Sequence, residues 1–449
     1  MSELIISVSG LRGIVGDSLT ERVAADYARA FASYLPGGPL VVTRDGRANG
    51  PPLVDAIAEA LTAAGRDILD AGIAATPTTG ILVRESGAAG GIQISASHNP
   101  AEYNGIKLFG SEGRVVPAKF GESVRQAYLQ GAETHPAKTK SGVVSKYEET
   151  CTAHWEAISA QVDVDKIRQA RVSVLLDANH GSGSILGRYL LEQLGCNVLL
   201  RGETADGHFA HLPEPTAENL ADICREIPAE GVQIGFCQDP DADRLAVIDE
   251  DGGYLGEEFT LALCVDHLLR KHPGPVVTNC STSRMSEDLA LRYGVPFSRS
   301  AVGEANVVDQ MLATEAVVGG EGNGGVIDPR VGFVRDSFIA MAYLLEAMVN
   351  RQLPISNLAA EMPQYKMAKQ KISFPREQLA EGEQAVAQHF EDATASHPDG
   401  LRLDWPDRWL LLRASNTEPV IRIMSEACNQ GQADLLCHEA EQVLHGLLS

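Results

Sequence analysis

The chain is poor in positive charge: 37 Lys and Arg stand against 60 Asp and Glu, a net charge of −23 in 449 residues. A polyanion of this kind is excluded as a general nucleic-acid or anionic-membrane binder, because both partners require clustered Lys and Arg. A small anion can still bind, provided that the cations gather in one cleft against the overall field. Long apolar runs are also missing. No stretch approaches the roughly 20 residues that span a bilayer. The longest candidate, Phe338 to Val349, is interrupted by Glu346 and reads as a buried helix. The opening MSELIISVSG lacks a basic segment followed by an apolar one, so no signal peptide is expected. The eight cysteines are scattered with no C-x-x-C pair, which points to a reduced, cytoplasmic protein without structural zinc.

What is present is a globular composition, 44% hydrophobic. The length predicts about two to four domains. Strand and helix signals alternate along the first three quarters. Thr20 to Leu35 carries one apolar helical face (Val23, Tyr27, Phe31) behind a plausible Thr20 N-cap. Apolar strand runs recur at Leu40–Thr43, Gly91–Ile94, Arg171–Leu176, Val232–Cys237, Pro275–Thr278 and Ala316–Val318, with helical stretches between them. Such alternation predicts crossover units and largely parallel sheets. From about Lys366 the strands crowd together (Leu401–Leu403, Trp409–Arg413, Val420–Met424) before a helix, Gln432–Leu447. The fold class is therefore α/β: three similar α/β domains with mixed, mostly parallel sheets, at 1–150, 151–253 and 254–366, and a smaller C-terminal α+β domain at 367–449.

One polar constellation stands in each domain. SASHNP, Ser95 to Pro100, follows a strand, where α/β folds place their sites. Ser97 there can be a nucleophile with His98 beside it, or simply part of a solvated turn. Asp239, Asp241 and Asp243 alternate in one loop after the strand Val232–Cys237. Three carboxylates so close repel one another unless a cation joins them, and Mg²⁺ accepts such oxygen ligands. GGEGNGG, Gly319 to Gly325, offers Glu321 and Asn323, groups that suit sugar hydroxyls, though flexible loops share this composition. Arg413, Ser415, Asn416 and Thr417, with Arg422 soon after, have the chemistry of a phosphate cradle or of an ordinary polar hairpin.

In combination and order, these four segments resemble the α-D-phosphohexomutase superfamily, which includes phosphoglucomutase, phosphomannomutase and phosphoglucosamine mutase. The resemblance covers essentially the whole chain and extends to SGLRGIVG (Ser9–Gly16), TRDGR (Thr43–Arg47), YNGIK (Tyr103–Lys107), DANHGSG (Asp177–Gly183) and PEPTAENL (Pro213–Leu220). It implies four domains around a central cleft. It implies that Ser97 carries a phosphoryl group as phosphoserine, and that Ser97 with Asp239, Asp241 and Asp243 holds one Mg²⁺. Lys107 and Arg244 match basic residues beside the transferring group, Arg12 an arginine of the active-site cleft, with His98 next to the serine; Glu321 and Asn323 fall in the sugar loop. Arg413, Ser415, Asn416, Thr417 and Arg422 fall in the loop for the phosphate that is not transferred. The implied activity interconverts hexose 6-phosphate and hexose 1-phosphate through a 1,6-bisphosphate, in a monomer or homodimer. The sequence departs from many relatives at Asn323 and Gly325, at Ser95, and in AVGEAN (Ala301–Asn306). The Asn-containing loop resembles an archaeal-type branch, which makes glucosamine phosphate the first substrate expected, with mannose or glucose phosphate as the alternative. A metal-dependent phosphatase using Ser97 is a reading of a different class; a non-catalytic binding protein needs neither nucleophile nor metal.

Overall fold

The computed structural model describes residues 3–131, 141–414 and 420–448. Four sheets follow one another along the chain. The first has seven strands in the order Ile5–Ser7, Gly10–Ile14, Tyr103–Gly110, Gly90–Ile94, Leu40–Arg44, Ile68–Ile73, Val144–Lys146. Its pairings are evenly divided: the three that join Ile5–Ser7, Gly10–Ile14, Tyr103–Gly110 and Gly90–Ile94 are antiparallel, and the three that run from Gly90–Ile94 through Leu40–Arg44 and Ile68–Ile73 to Val144–Lys146 are parallel. The second sheet (Leu245–Ile248, Ile234–Gln238, Ser173–Asp177, Asn197–Arg201) and the third (Phe297–Ser300, Val276–Asn279, Val318–Glu321, Gly325–Ile327) are parallel except for one antiparallel edge strand each. The fourth, between Lys366 and Ala427, is wholly antiparallel and carries the helix Gln430–Leu447.

Local chemistry explains the elements. Thr20 Oγ1 accepts from Val23 N and starts the helix Glu21–Ser33, whose Ala24, Tyr27, Ala28 and Phe31 are buried. The helix Thr76–Glu85 has no clear sequence signal: its first four residues are all Thr or Pro, yet it is buried nearly throughout and carries Pro in its first turn. The helix Ser337–Arg351 is as buried as its sequence suggests, and Glu346 within it is only 2% exposed. Glu346 is tolerated because His267 Nε2 (2.6 Å), Lys271 Nζ (2.7 Å) and the Asp163 N–H (2.9 Å) surround it.

The second and third sheets share one continuous apolar core through the helices Glu257–Lys271 and Ser337–Arg351. The first sheet and the C-terminal sheet have cores of their own. Two histidines belong to the interior: His154 bridges Thr78 Oγ1 and Asp336 Oδ2, and His267 meets Glu346. Among the described residues no helix is long and apolar enough to cross a membrane.

Candidate active site

The strand Gly90–Ile94 ends on a turn in which Ser97 adopts φ +51°, a left-handed backbone that a serine takes only when its neighbours hold it there. The side chain is 2% exposed. Its Oγ donates to Asp239 Oδ2 at 2.7 Å and lies 3.3 Å from His98 Nδ1. Burial and the neighbouring Arg244 and Arg12 push the His98 imidazole down to about 3, so it is neutral at physiological pH.

Asp239 follows the strand Ile234–Gln238, and the loop turns at Ala242 with φ +55°. DANHGSG supports this turn from below. Ser182 N donates to Pro240 O at 2.8 Å, and a Cβ on Gly181 would stand 2.5 Å from the same oxygen, so only glycine fits. Asp239, Asp241 and Asp243 are fully buried, with one ligand oxygen from each within 4.8 Å of the others.

The carboxylates are not left to repel one another. Lys107 Nζ donates to Asp241 Oδ2 (2.5 Å) and Asp243 Oδ2 (2.9 Å), and Arg335 donates to Asp243 Oδ2 (2.6 Å). Thr76 Oγ1 donates to Asp241 Oδ2 at 2.5 Å. Burial drives Asp239 well above the usual carboxylate range, helped by the charges of Asp241 and Asp243. Burial acts the same way on Asp241 and Asp243, but Lys107 on the first and Arg335 with Lys107 on the second outweigh it and hold both low. Asp241 Oδ1 and Asp243 Oδ1 remain buried without a hydrogen-bond partner. Orphaned carboxylate oxygens beside a third carboxylate and a serine oxygen form a hard, all-oxygen donor set, which fits Mg²⁺ and does not fit a soft metal.

Above the triad opens a cleft of about 510 Å³, a size suited to a small ligand. Arg12, Ser97, Lys107, Arg244, Glu321, Arg335, Arg413 and Arg422 all line it, so residues from all four sheets or their loops meet at one place. The cations thus collect where the anionic chain needs them. Arg12 and Arg244 stand close enough that burial and mutual repulsion lower the Arg12 pKa. Arg244 Nε has no hydrogen-bond partner, its nearest carboxylate oxygens lying 3.7 and 4.0 Å away. Facing guanidiniums beside a neutral imidazole make a site for a compact anion. From the C-terminal sheet Arg413 reaches the cleft, oriented by Asp399 Oδ2 at 2.6 Å, an oxygen that also accepts from Val302 N at 3.3 Å. Ser415, Asn416 and Thr417 lie outside the described residues.

Glu321 differs from its expected state as an open sugar grip. Its Oε1 accepts from Asn279 Nδ2 (2.7 Å) and Gly303 N (3.0 Å), and its Oε2 from Arg335 (2.7 Å). Asn323 Oδ1 is buried without a partner. Arg335, which the sequence reading passes over, is the hub: one guanidinium joins Glu304 (2.9 Å), Glu321 and Asp243. Its signal was a lone arginine directly before the Asp336 N-cap of a buried helix. Asp45, Arg47 and Thr76 were also passed over as site residues, although the first two sit in the TRDGR motif.

Four family descriptions match in succession: Phosphoglucomutase/phosphomannomutase alpha/beta/alpha domain I over residues 4–135, domain II over 152–253, domain III over 257–365, and the C-terminal domain over 371–443. The chain is 36% identical over 435 residues to a Thermococcus kodakarensis protein named phosphoglucomutase/phosphomannomutase, covering 94% of each. It is 34% identical over 429 residues to a Methanopyrus kandleri protein named probable phosphoglucosamine mutase, covering 95% of this chain and 94% of that one. The crystal structure of a phosphoglucomutase/phosphomannomutase family protein from Burkholderia thailandensis superposes with a TM-score of 0.86 at 27% identity, over 98% of both chains.

Proposed function

The chain belongs to the phosphoglucomutase/phosphomannomutase family, and on that premise we propose that it is a phosphohexomutase, interconverting hexose 6-phosphate and hexose 1-phosphate with Ser97 as the phosphoryl carrier. The observation that carries this reading is the contact of Ser97 Oγ with Asp239 at 2.7 Å in a cleft that Arg413 and Arg422 also line. One end of a sugar bisphosphate then faces the serine while the other rests on arginine.

Ser97, Asp239, Asp241 and Asp243 would hold Mg²⁺, which when bound neutralises charge on the transferring phosphoryl oxygens. Arg12 and Arg244, both lining the cleft beside Ser97, grip the phosphoryl oxygens. Lys107 keeps Asp241 and Asp243 ionised and aligned. His98, neutral and 3.3 Å from Ser97 Oγ, is a hydrogen-bonding neighbour of the transferring oxygen. Glu321 and Asn323 shape the sugar's seat. Arg413 and Arg422, with Ser415, Asn416 and Thr417, hold the resting phosphate. Transfer from Ser97 to the free hydroxyl gives the 1,6-bisphosphate; after the sugar turns round, Ser97 recovers the other phosphate. The burial of Ser97 limits access of water and disfavours the phosphatase reading.

Among sugars we assign glucosamine phosphate first, supported by the asparagine at position 323 and by relatives named probable phosphoglucosamine mutase. Mannose and glucose phosphates are the alternative. The protein acts in the cytoplasm on small hexose phosphates, as a monomer or homodimer. The test compares rates on the 1-phosphates of glucosamine, glucose, mannose and N-acetylglucosamine, with Mg²⁺ and a trace of hexose 1,6-bisphosphate. Isomerisation that needs both additions supports the reading. Steady release of inorganic phosphate instead would overturn it.

A further inference from the structure

The left-handed turn at Ser97 has a specific holder. Arg47 is 1% exposed and spends its guanidinium on one stretch of main chain: Nη2 donates to Ser97 O (2.7 Å) and Asn99 O (2.6 Å), and Nη1 to Pro100 O (2.5 Å) and Tyr103 O (3.1 Å). Its Nε donates to Asp45 Oδ2 at 3.1 Å. That same oxygen accepts from Ser95 Oγ at 2.7 Å, and Ser95 Oγ accepts from Ser97 N at 2.9 Å. The contacts close a ring, Arg47 to Asp45 to Ser95 to Ser97 and back to Arg47. Both backbone polar groups of Ser97, its N–H and its carbonyl, are fixed by members of the ring. The Phe209 ring, from the loop after the strand Asn197–Arg201, covers the Arg47 guanidinium at 5.0 Å.

We propose that Arg47, with Asp45 and Ser95, is a positioning unit that keeps the Ser97 peptide in its left-handed conformation and thereby aims Oγ at Asp239 and the cleft. This rests on the phosphohexomutase reading for its consequence, but its geometry lies wholly within residues 45–103 apart from the covering Phe209. Arg47 and Asp45 do not line the cleft, and Ser95, which does, spends its hydroxyl on Asp45 and the Ser97 N–H rather than on the ligand. Their loss therefore acts on transfer at Ser97 and not on capture of the ligand. A guanidinium is required. Four carbonyls and a carboxylate around one side chain match its planar fork of five N–H groups, whereas a lysine ammonium has three donors.

The test uses the full chain with Mg²⁺ and glucose 1,6-bisphosphate, comparing wild type with R47M, R47K, S95A and S95T. For R47M and R47K, kcat is expected to fall on the order of 100-fold, the scale of a 1 Å misplacement of a reacting group. The dissociation constant for the hexose phosphate, measured by calorimetry, is expected to stay within about threefold of wild type. S95A follows the same split, and S95T, which keeps the hydroxyl, restores kcat. If kcat in R47M or S95A stays within about threefold of wild type, or if S95T is no better than S95A, the proposal is overturned; so too if binding weakens in parallel with kcat. Should R47M fail to fold, the nearly isosteric S95A and S95T pair decides. A wild type inactive on every hexose phosphate strikes the mutase reading alone. The clamp is then read from a crystal structure of S95A, in which the Ser97 turn is expected to leave φ +51°; an unmoved turn overturns it.

Discussion

The Ser97 hydroxyl and the Asp239 carboxylate, 142 positions apart in sequence, meet at 2.7 Å. One residue closes a turn of the first sheet and the other a loop of the second, so the contact joins two separately built halves of a reaction centre. Around it the triad is buried, cationically buttressed and still short of ligands at Asp241 Oδ1 and Asp243 Oδ1.

Replacing Ser97 by Ala removes the hydroxyl proposed as phosphoryl carrier and leaves the cations of the cleft in place. Turnover is expected to vanish while hexose phosphate binding by calorimetry changes little. Normal turnover by S97A rejects Ser97 as carrier.

On the proposed reading Arg413 holds the phosphate that is not transferred, whichever end of the sugar that is. R413A is expected to weaken binding of the 1-phosphate and the 6-phosphate alike, each by roughly tenfold to a hundredfold for a lost charge-assisted contact. A loss confined to one of the two forms means that the cradle is not shared.

Arg335 compensates three buried carboxylates at once, Glu304, Glu321 and Asp243. R335M keeps the bulk and strands the acids. Removing one member of a buried ion pair costs about 3–5 kcal/mol. Denaturant unfolding is expected to show a loss of this order together with a raised Mg²⁺ requirement, since a divalent cation then supplies the missing charge near Asp243. An R335M protein as stable as wild type contradicts the hub role.

Glu346 provides a stability test with a pH signature away from the site. Burial alone would raise its pKa, but hydrogen bonds from His267, Lys271 and the Asp163 N–H outweigh it and hold the carboxyl down at about 2. A carboxylate depressed in the folded state stabilises above its unfolded pKa of about 4.3 and loses that contribution as pH falls toward 2. The difference in unfolding free energy between wild type and E346Q is therefore expected to be largest near neutrality, on the order of 3 kcal/mol. It should shrink steadily between pH 5 and pH 3, to roughly half or less of its neutral value. A difference independent of pH means that the carboxylate's charge plays no part.

Much of the architecture was legible because its signals are local. Thr20 caps its helix, apolar runs at Leu40, Gly90, Ile234 and Val276 are strands, and each polar constellation follows a strand end as α/β topology demands. The helix Thr76–Glu85 and the strand Lys366–Ser373 were missed for the converse reason: Thr and Pro mask the first, and charged residues alternating along an edge strand mask the second.

The order of residues alone supplies the groups the chain brings to its chemistry: a serine after a strand, an aspartate triplet, a glycine-rich carboxylate loop, an arginine loop, and a net negative charge around them. How those groups are charged and aimed is set by folding. That Arg335 joins three acids, that Arg47 holds the Ser97 backbone, and that Lys107 rather than a free void sits against Asp241 and Asp243 depend on contacts between elements tens to hundreds of residues apart. A residue's type fixes what it can donate or accept; burial and the partners that folding places beside it fix its ionisation and direction, and neither is encoded within its own stretch of chain.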